Sequence, residues 1–308
     1  MITSPYRSPD APTVVLDTDV GYDLDDALTF WIAAVLRIAN LVVITTDETE
    51  HDQRAQLAGA ILDSFARPEV PVIAGRRLPG ADTRFLMDPL PRAAQPVRTD
   101  VVDYVSALCE KSTHPIIWVG IGPTSNLADV LSARPELAKR IKLTMMGGWL
   151  DHYRRPDLAS HNPRLDPAAF RLVMAAAHQP RLVLSTHCNV DELAITPTSN
   201  LYSWLTMPEA PADYALITEN ASRWFDHRAR RAPDAVPSSW LNDPLTFAAA
   251  IDDDDLLVKF RTEKVRIEAD ARMYRDPHGH PIQVSTHVDY TGFLTWLSTI
   301  LPLTPIER

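Results

Sequence analysis

The feature that most constrains this chain is a series of short, continuously apolar runs, most of them rich in β-branched residues and followed by a stretch with helical spacing. TVVLD at 13–17, LVVITT at 41–46, PVIAG at 71–75, PIIWVG at 115–120, KLTMMGG at 142–148 and RLVLST at 181–186 lack the apolar–polar alternation of a half-exposed strand. Runs of this kind are buried on both faces. After them, helices are expected at 27–36, 50–66, 101–111, 125–132 and 167–177. Strand then helix, repeated, predicts an α/β fold with a mostly parallel central sheet and helices on both faces. In such sheets ligands bind outside the carboxyl ends of the strands, so the active site is expected there. No repeat, low-complexity tract or separating linker interrupts the pattern, and a single domain over 1–308 is expected.

Three segments read as irregular. The stretch 78–97 carries Pro79, Pro89, Pro91 and Pro96 and reads as a surface loop; 151–166 and 228–239 are the others. The last joins a helix ending near His227 to one beginning near Asp243. Lys and Arg number 30 against 40 Asp and Glu, a net charge of −10 with no basic stretch. That balance disfavours a nucleic-acid partner and permits a cation. The most apolar stretch, 27–44, is broken by Arg37 and Asn40, and no membrane span is expected. The first residues lack a signal-peptide core, and two cysteines, Cys109 and Cys188, are too few for a disulfide framework. A cytoplasmic protein is expected.

Directly after the first strand, Asp17, Asp19, Asp23, Asp25 and Asp26 place five carboxylates within ten residues. Such density at a strand end is costly unless a cation or protons neutralise it. Clustered hard oxygen donors point to Ca²⁺ or Mg²⁺. An EF-hand is excluded, because counting from Asp17 its glycine position is Tyr22 and its glutamate position is Leu28. The haloacid-dehalogenase phosphatase motif also begins Asp-x-Asp after a strand, but its fifth position, Thr or Val, is here Gly21. The acidic run IDDDDLL at 251–257 reads as a solvated helix end.

LDTDVGYDLDDAL at 16–28 resembles the N-terminal signature of the inosine-uridine preferring nucleoside hydrolase family, in a form with two extra residues before Asp-Asp-Ala. GPTSNLADVL at 122–131, MMGG at 145–148, NPRLDPAA at 162–169 and NDPL at 242–245 follow in that family's order. The resemblance implies a Rossmann-like nucleoside-hydrolase fold and a Ca²⁺-dependent N-ribohydrolase with a nucleoside-like small-molecule substrate, acting in purine or pyrimidine salvage. It also implies a homodimer or homotetramer. Carried over by position, Asp19, Asp26 and Asp243 are metal ligands with the backbone carbonyl of Ser125, and Asp25 and Asn162 contact the ribose. Asp19 is the candidate base on the attacking water. Asp17 is expected to be structural, and Asp23 to join the metal shell or the sugar site. Asp166-Pro167 reads as a helix start and Asn126 as a loop support.

Four departures from the family pattern stand out. Its Glu two residues before the Asn is Ser160, an upstream Asn is Arg154, its Gly-Asn after the second strand falls near Thr49 and Glu50, and its His-Asp-Pro is Asn242-Asp243-Pro244. The resemblance places the first two at the 5′ side of ribose. With Arg154, Arg155, His161 and Arg164 in that segment, a 5′-phosphate or other anionic substituent is one expectation, a solvated basic loop the other. His227, Trp224, Trp240 and Asn242 are further candidates at the base end. Two alternatives stay open: a non-catalytic member that binds a nucleoside-like or nucleotide ligand, and the phosphatase.

Overall fold

A computed structural model describes residues 5–90, 96–150 and 155–303. The first strand, β1 (Val14–Thr18), shows why the unalternating runs matter. Val14 and Leu16 belong to one buried apolar cluster and Val15 to another, one on each face of the sheet. After β1 come α1 (Leu24–Leu36), β2 (Leu41–Thr45), α2 (Gln53–Ser64) and β3 (Val72–Ala74). The chain then crosses to the other side of β1 through α3 (Val101–Lys111), β4 (Ile116–Gly120), α4 (Ser125–Ala133), β5 (Ile141–Met146), α5 (His161–Leu165), α6 (Pro167–Ala176) and β6 (Arg181–Val183). The remainder comprises α7 (Ser185–Cys188), β7 (Ala194–Ile195), α8 (Asn200–Leu205), α9 (Ala215–Arg231), β8 (Ser239–Trp240), α10 (Asn242–Ile251), β9 (Val258–Ile267), β10 (Met273–Arg275), β11 (His280–Val288) and α11 (Tyr290–Ser298).

Nine strands form one sheet in the order β10-β9-β11-β6-β5-β4-β1-β2-β3, while β7 and β8 pair separately. From β11 to β3 every neighbour is parallel; β9 runs antiparallel to both β10 and β11. Helices α1, α2, α9 and α10 bury apolar residues on the face of Leu16, and α3, α4 and α6 on the face of Val15. The expected mostly parallel α/β sheet with helices on both faces is therefore present. Because β2 and β4 flank β1 while the chain order reverses there, a crevice opens beyond the ends of β1 and β4.

The expected helices lie where the spacing put them, and the irregular segments need correction. Within 78–97 the described part is a packed strap: Leu78, Ala81, Phe85 and Met87 are buried, with a short 3₁₀ turn at Ala81–Arg84. Its prolines prevent regular structure without preventing burial. Helix α9 continues through Arg228 to Arg231, and 161–165 is helical within the supposed loop 151–166. The run after α10 is a solvated turn, as expected. The hairpins β9 to β11 were not anticipated. Strand β9 carries several exposed charges, as a half-solvated antiparallel strand does.

Candidate active site

A cavity of about 440 Å³ lies at the carboxyl ends of the parallel strands, lined by Asp19 after β1, Ile121 after β4, Met146 of β5 and Ser185 after β6. Two helix N-termini open into it. Helix α1 starts at Asp23, which accepts from the Leu24 amide at 2.6 Å and from the Ser239 hydroxyl at 2.5 Å. The first turn then presents Asp25 and Asp26. Helix α10 packs against α1 and presents Asp243 in its own first turn. Carboxylates in these positions interact favourably with the helix dipole. Oxygens of Asp25, Asp26 and Asp243 lie within 4.8 Å of one another, and all three side chains are buried.

Burial raises the pKa of Asp25, Asp26 and Asp243 well above the usual carboxylate range, and their mutual repulsion adds to it. Three hard oxygen donors, offset among side-chain cations only by the pull of Arg54 on Asp26, suit a divalent metal ion. Asp26 is oriented by the Thr18 hydroxyl, which donates to its Oδ1. Burial also lifts Asp23 to about 7 and Asp19 to about 6, the latter despite the nearby Arg54.

Asp19 sits beside this trio in a loop fixed from behind. The fully buried Arg54 donates to the carbonyls of Asp19 and Val20 and pairs with Asp47 at 3.3 Å. Gly21, at φ +104°, takes a left-handed conformation that favours glycine, and the Phe85 ring leaves no room for a β-carbon there. Asp17 does not line the cavity. It accepts from the Asn126 amide at 2.8 Å, and that side chain also reaches Thr45 O and the Arg76 amide. Both residues are thus structural supports, as their positions suggested.

Of the other nominated residues, Asp23, His161, Asn162, Trp240 and Asn242 line the cavity. Asn162 is anchored by donating to Ile121 O at 2.7 Å, and Asn242 Oδ1 is buried without a hydrogen-bond partner. Ser125 is not among the lining residues. Its hydroxyl donates to Asp166 at 2.7 Å, and Asp166 caps α6 through the Ala169 amide and pairs with Arg76. His227 reaches the site through Tyr22, whose hydroxyl lies 3.3 Å from its Nε2. Arg154 lies outside the described residues.

Sequence reasoning did not nominate Tyr22, Trp149, Ser185, Asn189 or Arg228, all of which line the cavity. Tyr22 sits within the acidic motif itself, and Ser185 and Asn189 follow β6, where the strand-end rule already pointed. Tyr22 organises the rim: its ring meets Trp224 at 5.1 Å edge-on, His227 at 5.5 Å and His161 at 6.5 Å. An acidic floor under an aromatic rim can hold a cation and a polyhydroxylated ring below a flat group.

The comparisons agree with this geometry. Residues 14–295 match the family model described as inosine-uridine preferring nucleoside hydrolase. A pyrimidine-specific ribonucleoside hydrolase, RihA of Enterobacter sp. (strain 638), is 25% identical over 176 residues, 52% of this chain and 55% of that protein. The chain thus matches only about half the length of that relative. The plant nucleoside hydrolase PpNRh1 superposes with a TM-score of 0.74 at 20% identity, covering 93% of this chain and 97% of that one. An inosine-uridine preferring nucleoside hydrolase from Bacillus anthracis gives 0.71 at 19% identity, covering 94% and 99%.

Proposed function

The chain belongs to the inosine-uridine preferring nucleoside hydrolase family, and from that premise we propose that it hydrolyses the N-glycosidic bond of a ribonucleoside or related N-riboside to free base and ribose. The observation that carries this reading is the convergence of Asp25, Asp26 and Asp243 in the cavity that Asp19 and Asn162 also line. The metal is Ca²⁺, and Asp19, Asp26, Asp243 and the Ser125 carbonyl are the residues that would hold it. When bound, the ion offsets the clustered negative charge and acidifies the water used in hydrolysis.

The protein's own groups do the rest. Asp19 accepts the proton of the attacking water, a role open to a carboxylate that lines the cavity beside the acidic trio. Glycosidic cleavage passes through an oxocarbenium-like state, which the carboxylates of the floor stabilise. Asp25, Asn162 and Asp23 bind the ribose hydroxyls, so 2′-deoxyribosides are poor substrates, and Asn242 faces the base end. Tyr22, Trp224 and Trp240 pack against the base, with His227 behind Tyr22. Arg154, outside the described residues, is a further substrate-binding residue in this reading. The proposal also takes the chain as one domain, a homodimer or homotetramer serving nucleoside salvage in the cytoplasm. The buried free thiols of Cys109 and Cys188 fit a reducing compartment, and no described helix is long and apolar enough to cross a membrane.

Reducing-sugar release from a ribonucleoside panel tests the reading, with wild type and Asp19→Ala, with and without chelator. Release that falls at least 100-fold in the variant and stops on chelation is expected. Ligand binding with no release from any riboside would overturn hydrolysis in favour of a binding protein, and phosphate release from phosphomonoesters would favour a phosphatase.

A further inference from the structure

The floor of the cavity is acidic, yet its mouth is basic. Arg155, His161, Arg164 and Arg228 all line it. Arginines in this protein commonly rest on carboxylates: Arg76 on Asp129 and Asp166, Arg84 on Asp47, Arg181 on Asp255. The mouth has exceptions. Arg164 has no carboxylate partner among the described residues; its Nη2 lies 3.4 Å from His161 Nδ1. Arg228 lies over the Trp224 ring at 5.7 Å, with its Nε buried and lacking a hydrogen-bond partner. The two guanidinium groups end one row, Arg164–His161–Tyr22–Trp224–Arg228, whose members touch in turn around the opening.

A protein of net charge −10 with five carboxylates in one cavity repels anions unless fixed cations are placed to receive them. The two ends of the row are not equivalent. At the Arg228 end the guanidinium already feels the attraction of Asp23. At the α5 end, Ser160 offers a buried neutral wall and accepts from the Gly148 amide at 2.6 Å. His161 is solvent-exposed there, and the neighbouring Arg164 charge disfavours its protonation. With Nδ1 facing Arg164, the ring proton sits on Nε2 as a further donor. Arg155, held by Asp157, adds a third cationic or donor group. Several donors around one point are what a phosphate dianion requires.

Substrate geometry selects the position of that phosphate. The vicinal hydroxyls of a ribose donate to the carboxylate floor, which leaves the base and the C5′ carbon directed towards the mouth. The flat base matches Tyr22, Trp224 and Trp240. With the base against Trp224 and Trp240, C5′ is directed towards the other end of the row, where His161 and Arg164, three residues apart on α5, line the opening side by side.

We propose that the cavity takes a 5′-phosphorylated N-riboside, a nucleoside monophosphate, in preference to the free nucleoside, with Arg164 as the main phosphate ligand; this rests on the N-ribohydrolase reading above.

The test compares kcat/KM for adenosine, adenosine 5′-monophosphate and a ribonucleoside with a carboxylated base, in wild type, Arg164→Ala, Arg164→Lys and Arg228→Ala. Wild type is expected to favour the monophosphate over adenosine by roughly 10- to 100-fold, the size of a charge-assisted contact at a partly solvated site. Arg164→Ala then lowers that ratio at least tenfold and Arg164→Lys lowers it less. Equal or better cleavage of adenosine overturns the proposal while leaving the hydrolase reading intact. So does a preference for the carboxylated base that Arg228→Ala removes. If wild type cleaves nothing, the hydrolase reading fails and calorimetric binding decides the proposal. Tighter binding of the monophosphate than of adenosine, lost in Arg164→Ala, sustains it, and equal binding overturns it.

Discussion

Gly122 stands so close to Asp19 that a β-carbon added to it would lie 3.0 Å from the Asp19 amide nitrogen, 3.1 Å from its Oδ1 and 2.7 Å from the Thr46 methyl. The Gly122 amide also donates to Asp17 O at 3.2 Å, so the ends of β1 and β4 are tied side by side. An alanine would have to push the Asp19 loop or Thr46 aside. Displacement of a reacting group by a fraction of an ångström is expensive in rate and cheap in stability. Gly122→Ala is therefore expected to lower kcat/KM at least about tenfold, with a much smaller loss of thermal stability. Kinetics and thermal unfolding on the same preparation check this; near-wild-type kcat/KM would mean that the contact does not set the position of Asp19.

Arg54 holds the same loop from the opposite side. Its guanidinium donates to four backbone carbonyls, those of Asp47, Asp19, Val20 and Arg84, as well as to the Asp47 carboxylate. Arg54→Met strands these acceptors in the interior, although Arg84 still pairs with Asp47 at 2.6 Å. The cost is expected near the lower end of the range for breaking a buried ion pair, about 3 kcal/mol. Urea unfolding measures it, and Arg54→Lys should recover only part because lysine lacks the planar fork. A loss below about 1 kcal/mol would show that the loop is held by other contacts.

The sheet was legible because its strands are buried on both faces, so that each announces itself as an unbroken apolar run. The edge hairpins were not, since Lys259, Arg261, Glu263 and Arg266 on β9 dilute the apolar signal that burial creates. The acidic motif was legible as chemistry, and Asp19, Asp23, Asp25 and Asp26 do line one cavity. Local spacing could not supply the partner across it, which came from the resemblance alone: Asp243 arrives from a helix 217 residues beyond Asp26 in the chain, brought there by the packing of α10 on α1. Tyr22 was missed for a related reason. Its importance lies in its contacts with His161, Trp224 and His227, and these depend on where α5 and α9 dock.

Cation binding should be linked to protons. Without a cation, burial and mutual repulsion raise the pKa values of Asp25, Asp26 and Asp243 well above the ordinary range, and a bound cation requires them ionised. Ca²⁺ is thus expected to bind more weakly as pH falls from 7 towards 5, with proton release on binding that titration calorimetry in two buffers detects. Ca²⁺ should also raise the unfolding temperature, more at pH 7 than at pH 5. Asp243→Asn should weaken Ca²⁺ by roughly 100-fold or more, beyond the effect of losing an indirect support. Affinity independent of pH and unaffected by Asp243→Asn would place any cation elsewhere.

Glu48 offers a test of stability away from that chemistry. Only 1% exposed, its carboxylate accepts from the Thr45 hydroxyl at 2.7 Å, the Ala55 amide at 2.8 Å and the Thr49 amide at 3.2 Å, closing the start of α2. Burial nonetheless dominates and raises its pKa from 4.5 to about 7. The folded state therefore holds the proton more tightly than the unfolded state. The contribution to stability is fully present below pH 4.5, declines as pH rises and is gone above about pH 7. Its size is at most about 3 kcal/mol. Glu48→Gln keeps an acceptor for Thr45 and cannot ionise, so its unfolding free energy should fall less steeply than that of wild type across this window. Denaturant unfolding from pH 4.5 to 7.5 measures both curves, and parallel curves would show that Glu48 ionises freely in the folded protein.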